Sequence, residues 1–243
     1  MEESKNPDKR NTFVFCLLCP ISSSSSSSSC STGKRVKGNS EDTDSMADEE
    51  ENLKPTWDGE FVDGLPSGKG VMTYPGLDPE SPKDVYEGDM VEGKRQGSGK
   101  YTFANGGSYE GGYLENKKSG TGVMTFPDGS KYDGGWLEDK YSGKGTFNYA
   151  NGDIYEGEWT NGEKQGQGKY FFKDSGSTFE GKWEEGSFTS GKWVYKDGST
   201  FEGGFQEGVP AGVGVYTFMS NGLSQRGQFV DGVWKGETIT PVA

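Results

Sequence analysis

The 243-residue sequence contains no histidine, and its three cysteines all lie within the first 30 residues. Without histidine, a Ser-His-Asp or Cys-His nucleophile cannot be assembled, and histidine-held zinc or haem is excluded. Hydrophobic residues make up only 29%, too little for a conventional two-layer core of Leu, Ile and Val. Only 10 prolines are present and the glycines do not fall at every third position, which excludes a collagen helix. What is abundant is glycine, 41 residues, and aromatic rings, 13% of the chain. A low-complexity disordered chain would account for the glycine but not for the rings, which disorder depletes. A repetitive, glycine- and aromatic-rich β architecture remains.

Charge divides the chain in two. Net charge is −13. Residues 1–45 hold six acids and six bases, so the whole excess lies in residues 46–243. A surface this acidic repels nucleic acid and anionic lipid, and it favours solubility and a basic protein partner. Cys16 and Cys19 form an isolated C-x-x-C pair with no second pair and no strand-turn-helix around it, so the reading is unstructured thiols rather than a metal or redox site. Phe13 to Ile21 is a nine-residue apolar run after Lys9 and Arg10, too short to span a bilayer. It has the length of a signal-peptide core, but no clear small-residue cleavage site follows. Ser22 to Ser29 is a flexible tract by composition. Met46 opens an ordinary acidic start, which makes residues 1–45 an upstream extension outside the fold. The expected domains are therefore a disordered segment 1–56, a repeat array 57–236 and a tail 237–243.

From Trp57 a motif of aromatic, acid, glycine, any residue, aromatic recurs, beginning at residues 57, 86, 109, 132, 155, 179 and 201, with a degenerate eighth at 225. The spacings are 29, 23, 23, 23, 24, 22 and 24. The long first interval holds a Pro- and Asp-rich insertion, "GLDPESPKDV", read as a surface loop. Within 109–131, Tyr109, Gly111 and Tyr113 alternate with Glu110 and Gly112, and Gly120, Gly122, Met124 and Phe126 alternate again. Two period-two stretches predict two strands, and "PDGS" at 127–130 is a turn signal. Each unit reads as one hairpin, and the units continue as a meander.

Counted from the first aromatic as zero, positions 0, 2, 4, 11, 13, 15 and 17 fall on one face, with glycine at 2, 11 and 13. Rings lying over those glycines would cover the backbone and let a single sheet stand without a second layer. The opposite face takes Glu, Asp, Lys and Thr. The fold class is all-β, an elongated single-layer antiparallel meander of about fifteen or sixteen strands. The candidate packing and partner-binding residues are Tyr86, Tyr109, Tyr113, Tyr132, Trp136, Tyr155, Trp159 and Trp183. No catalytic, metal or cofactor-binding residue stands out, and no cofactor is expected. Carboxylate pairs such as Glu156 and Glu158 alternate onto the solvent face, where nothing would shift their pKa. The two free edges of such a sheet leave a homodimer through the terminal units open.

The repeat resembles the MORN (membrane occupation and recognition nexus) repeat, whose pattern is close to Y-E-G-E-W-x-x-G-K-x-x-G-x-G; "YEGEWTNGEKQGQG" at 155–168 matches it almost fully. The resemblance covers 57–236. It departs where the family often has His, here Gln96, Ser119, Ser142 and Gln165. It departs again in the sixth unit, where Trp193 stands in space normally kept small and a bulge is expected. The stand-alone array, and the stretch from Pro210-Ala211-Gly212 to Arg226-Gly227, are similar to the MORN-repeat radial spoke head proteins of motile cilia and flagella. That resemblance implies a non-catalytic subunit of the cytoskeleton, in the ciliary axoneme, with axonemal proteins as partners. MORN arrays elsewhere imply a second reading, a membrane- or phosphoinositide-associated adaptor, against which the charge argues. Other cytoskeletal or organelle-shaping scaffolds form a third.

Overall fold

The computed structural model describes residues 54–76, 78 and 80–242. The readings placed on the cysteines, the serine tract and Met46 fall outside these residues. Sixteen strands, from Thr56–Val62 to Val233–Pro241, form one antiparallel sheet in strict sequence order with no crossover. No helix occurs among the described residues. The insertion follows the strand ending at Tyr74 and its last two residues, Asp84 and Val85, open the next strand; within it the Asp78 carboxylate accepts from the Glu80 amide at 3.0 Å and the Ser81 hydroxyl at 2.8 Å.

Two kinds of turn alternate. Between units, the "PDGS" type is as the sequence suggests: the Phe126 amide donates to the Ser130 carbonyl, Gly129 has φ 85°, and the Asp128 carboxylate accepts from the Ser130 amide. Within units the turns have two residues, both at positive φ, such as Glu115-Asn116 at 50° and 71° and Asn161-Gly162 at 53° and 91°. That is the type I′ geometry whose twist matches the flanking strands. Eight such pairs, always starting with Asp, Glu or Asn, were a signal present in the sequence at fixed spacing.

Beyond the type I′ turns of the first seven units, pairing jumps; in the eighth the register runs on to the glycine pair and shifts by one residue past it, between Gln225 and Gly227. Tyr113 faces Lys118, but Gly111 faces Gly122. Three residues on the second strand oppose one on the first, a bulge of two extra residues. Gly120 sits in it at φ 76°, with open space where a β-carbon would stand. This corrects the role expected for the glycine at position 11. No ring covers it; the bulge needs its left-handed backbone. Because two residues are added, side-chain parity survives. The sixth unit, which lacks Gly-x-Gly, adds only one: Lys182 faces Ser190 while Trp183 faces Phe188. The expected bulge is present there and is smaller than its neighbours.

From Gly59 to Gly236, every strand sets a glycine opposite the glycines of both neighbours, a line across all sixteen strands. The rings lie along this line and form the core, on one face of one layer. The strands also extend past the expected array. Thr56 begins the first, and the last strand runs on to Pro241, with Ile239 opposite Gln225 and Thr240 opposite Ser224. The tail expected at 237–243 is mostly strand, because Thr238, Ile239 and Thr240 are β-branched residues suited to a ladder.

Candidate functional site

The repeated tyrosine builds the ring face. Tyr109 leans along its own strand over the Gly111–Gly122 pair, and its hydroxyl donates to the Gly112 carbonyl at 3.0 Å. Gly112 is the residue facing the bulge, so the tyrosine supplies a donor where the ladder is interrupted. Tyr86, Tyr132 and Tyr155 do the same for Asp89, Gly135 and Glu158, at 2.8, 3.0 and 3.1 Å. Burial pushes these phenols up, Tyr86 and Tyr109 to about 12.

The second ring of each unit locks it to the unit before. Trp136, Trp159 and Trp183 donate from the indole to the carbonyls of Gly122, Gly145 and Gly168 at 3.0, 3.2 and 3.3 Å. Trp136, Trp159 and Tyr113, which holds the same place in its unit, each stand edge-on between two tyrosines. Trp136 meets Tyr109 at 5.1 Å and Tyr132 at 5.3 Å, with interplanar angles of 81° and 89°. Trp159 meets Tyr132 and Tyr155 at 5.4 and 5.1 Å, and Tyr113 meets Tyr86 and Tyr109 at 5.3 and 5.2 Å. Such edge-to-face pairs add about 0.5–1.5 kcal/mol each beyond area burial. Trp183 joins the row through Tyr155 at 5.1 Å.

All eight aromatics singled out in the sequence therefore fall in one continuous zipper, and each is no more than 6% exposed. They are packed against one another. The rings that reach solvent stand beside them. Phe103, Phe126, Phe147, Tyr149, Tyr170 and Phe172 are half-buried and lean on this core.

Sequence reasoning missed a second component. Position 9 of the unit pairs directly with position 4 and so lies on the ring face: Arg95 opposite Met90, Lys118 opposite Tyr113, Tyr141 opposite Trp136, Lys164 opposite Trp159. The Arg95 guanidinium lies 5.2 Å from the rings of both Tyr101 and Tyr113. Lys118 Nζ lies 5.1 Å from Trp136 and 5.5 Å from Tyr109. Lys164 Nζ is enclosed by Trp183, Tyr170 and Tyr155 at 4.6, 4.9 and 5.5 Å. None of the six ion pairs among the described residues uses these three cations. Burial pulls the Lys164 ammonium down to about 8 and lowers Lys118, against which Asp139 acts. The ring faces favour the charged forms, by about 0.5–2 kcal/mol. Period two, extended back through the bulge, would have placed position 9 on this face.

The opposite face is the solvated one, with exposed pairs such as Lys169–Glu180 at 2.9 Å and Lys192–Glu202 at 3.6 Å. Such pairs contribute about 0–1 kcal/mol. Among the described residues no group of three or more His, Cys, Asp or Glu could hold a metal ion, and no helix is long and apolar enough to cross a membrane.

A single-layer sheet of hairpins, joined by an aromatic zipper over a line of glycines, is a repeat-built β array. Residues 57–77, 86–108, 109–131, 132–154, 155–177 and 201–222 match the MORN repeat. These segments cover more than half of the sequence, and the chain belongs to the MORN-repeat family. The unmatched stretch 178–200 is the unit with the one-residue bulge. No curated protein matches the chain. Forty-six chains of solved structures do. One is the TCP domain of SAS-4 (dCPAP) of Drosophila melanogaster, in complex with a proline-rich motif of Ana2 (dSTIL). It is 12% identical, with 85% of this chain and 98% of that chain covered and a TM-score of 0.38.

Proposed function

We propose that this chain is a non-catalytic structural scaffold that binds other proteins along its ring face, and that it serves as a radial spoke head component of the ciliary or flagellar axoneme. The observation that carries the scaffold reading is the continuity of that face. Half-buried rings and cations recur on it from unit to unit, so contact area grows with each repeat a partner spans. Aromatic and arginine side chains are the types that dominate protein interfaces. The spoke-head assignment rests on the resemblance of the stand-alone array to those proteins, with axonemal subunits as the partners.

The test is location in a cell with motile cilia. A tagged chain along the axoneme, with spoke subunits recovered by proximity labelling, is the expected result. Labelling of the plasma membrane, with phosphoinositide vesicles pelleting the purified protein, would overturn it in favour of the membrane adaptor. A homodimer through the terminal units would register as doubled mass in light scattering.

A further inference from the structure

We propose that the partner seated on the ring face is an amphipathic α-helix bearing acidic residues at heptad spacing, held by Arg95, Lys118 and Lys164. The inference rests on the scaffold reading and adds the partner's chemistry and conformation.

Charge comes first. The chain is strongly acidic, yet three units in the middle of the array each set one cation on the ring face. All three are half-buried, lie over aromatic rings and are absent from every ion pair of the described residues. The Arg95 guanidinium donates to Asn116 O at 3.0 Å, and its Nε is buried without a partner. Asp139 acts on Lys118 but accepts from its backbone amide rather than forming an ion pair with the ammonium, and partly dehydrated cations outside any ion pair gain most from an incoming carboxylate, because little water remains to be removed and the local dielectric is low. The half-buried rings alongside supply apolar area for the rest of the partner.

Spacing decides the partner's conformation. One unit advances two strands, about 9.6 Å. An α-helix rises about 10.5 Å in seven residues and returns to the same face. An extended strand repeats its face about every 6.8 Å, about 2.8 Å short of one unit, so successive same-face residues of a strand do not meet Arg95 and Lys118, which stand one unit apart. A helix with an acidic residue in successive heptads would meet Arg95 and Lys118. It would pass Tyr141 in the next heptad and meet Lys164 in the one after. The Tyr141 position asks for an apolar residue there, since that ring stacks on Tyr132 at 4.0 Å.

The experiment uses the full chain and designed helical peptides labelled for fluorescence anisotropy. The acidic peptide carries three glutamates on one Leu- and Ala-rich face, at heptad spacing with the third heptad left apolar. Controls replace the glutamates by glutamine or by lysine, or interrupt the helix with proline. The expected result is saturable binding of the acidic peptide alone. R95Q, K118Q and K164Q would each weaken it about tenfold, and Lys69→Gln, on the opposite face, would leave it unchanged. Melting curves check that the variants fold. Equal binding of the glutamine peptide would overturn the acidic chemistry while leaving the ring face as a contact surface. Equal binding of the proline peptide would overturn the helix. Binding insensitive to all three variants, or no binding, would overturn the site, while the scaffold reading is decided separately by location.

Discussion

Tyr132 and Gly145 compete for one space: a β-carbon built on the glycine would stand 2.6 Å from Cζ of the tyrosine. The two residues belong to paired strands, where Gly145 faces Gly134 and Phe147 faces Tyr132. The ring's position therefore depends on a side chain that is missing across the strand.

Gly145→Ala should lower stability by about 2–3 kcal/mol, since either the ring or the backbone has to move. Gly143→Ala meets open space and carries only the cost of φ 71°, about 1 kcal/mol. Thermal melting of the two variants ranks them. Equal losses would mean the ring does not depend on the glycine. Valine at Gly111 or Gly134 should cost at least as much as alanine at Gly145, since a β-carbon at either would stand 2.6 Å from the Tyr109 or Tyr132 hydroxyl.

The two tryptophan environments give a matched pair. Trp136 Nε1 donates to Gly122 O at 3.0 Å, whereas Trp193 Nε1 is buried with no partner. Trp136→Phe removes a hydrogen bond to a backbone carbonyl; Trp193→Phe removes an unsatisfied donor. We expect Trp193→Phe to be less damaging by about 1–2 kcal/mol, read from urea midpoints at constant slope. A larger loss at Trp193 would contradict the bonding described.

Much of this was legible in the sequence. The motif beginning at Tyr109 and the Pro127–Ser130 turn were enough to give hairpins, a meander and a ring face. The two-residue bulge was not, because adding two residues preserves parity: Gly120 keeps the alternation while doing a different job from Gly122. Lys164 was passed over for a related reason. A lysine reads as solvent-facing, and only its cross-strand register opposite Trp159 puts it among rings. The run from Thr238 to Thr240 looked like a tail because no motif continues there, although its β-branched residues suit a strand.

Lys164 should titrate near pH 8 by NMR of its side-chain nitrogen. Its folded pKa lies below the ordinary 10.5 because burial disfavours the ammonium. Lys164 therefore contributes most stability above pH 10.5, where it is neutral folded or unfolded. That contribution is lost as pH falls toward 8, an effect on the order of 1–2 kcal/mol. The tyrosines act oppositely: Tyr86 and Tyr109 are raised to about 12, so their contribution is present below pH 10 and lost as pH climbs through the folded values. Melting temperature should rise from pH 8 toward 10 and fall beyond. Lys164→Met should flatten the rise and spare the fall. An unaltered rise would place the titrating group elsewhere.

The indole of Trp159 reaches back 14 residues to Gly145, and that of Trp136 reaches back 14 to Gly122. These two joints in the middle of the sheet are thus the same joint. Excising residues 132–154 would bring Trp159 onto Gly122, over a seam with the same contacts on both sides. The array is then a molecule with a quantised length: it can shorten or lengthen in steps of 23 residues without meeting a new interface.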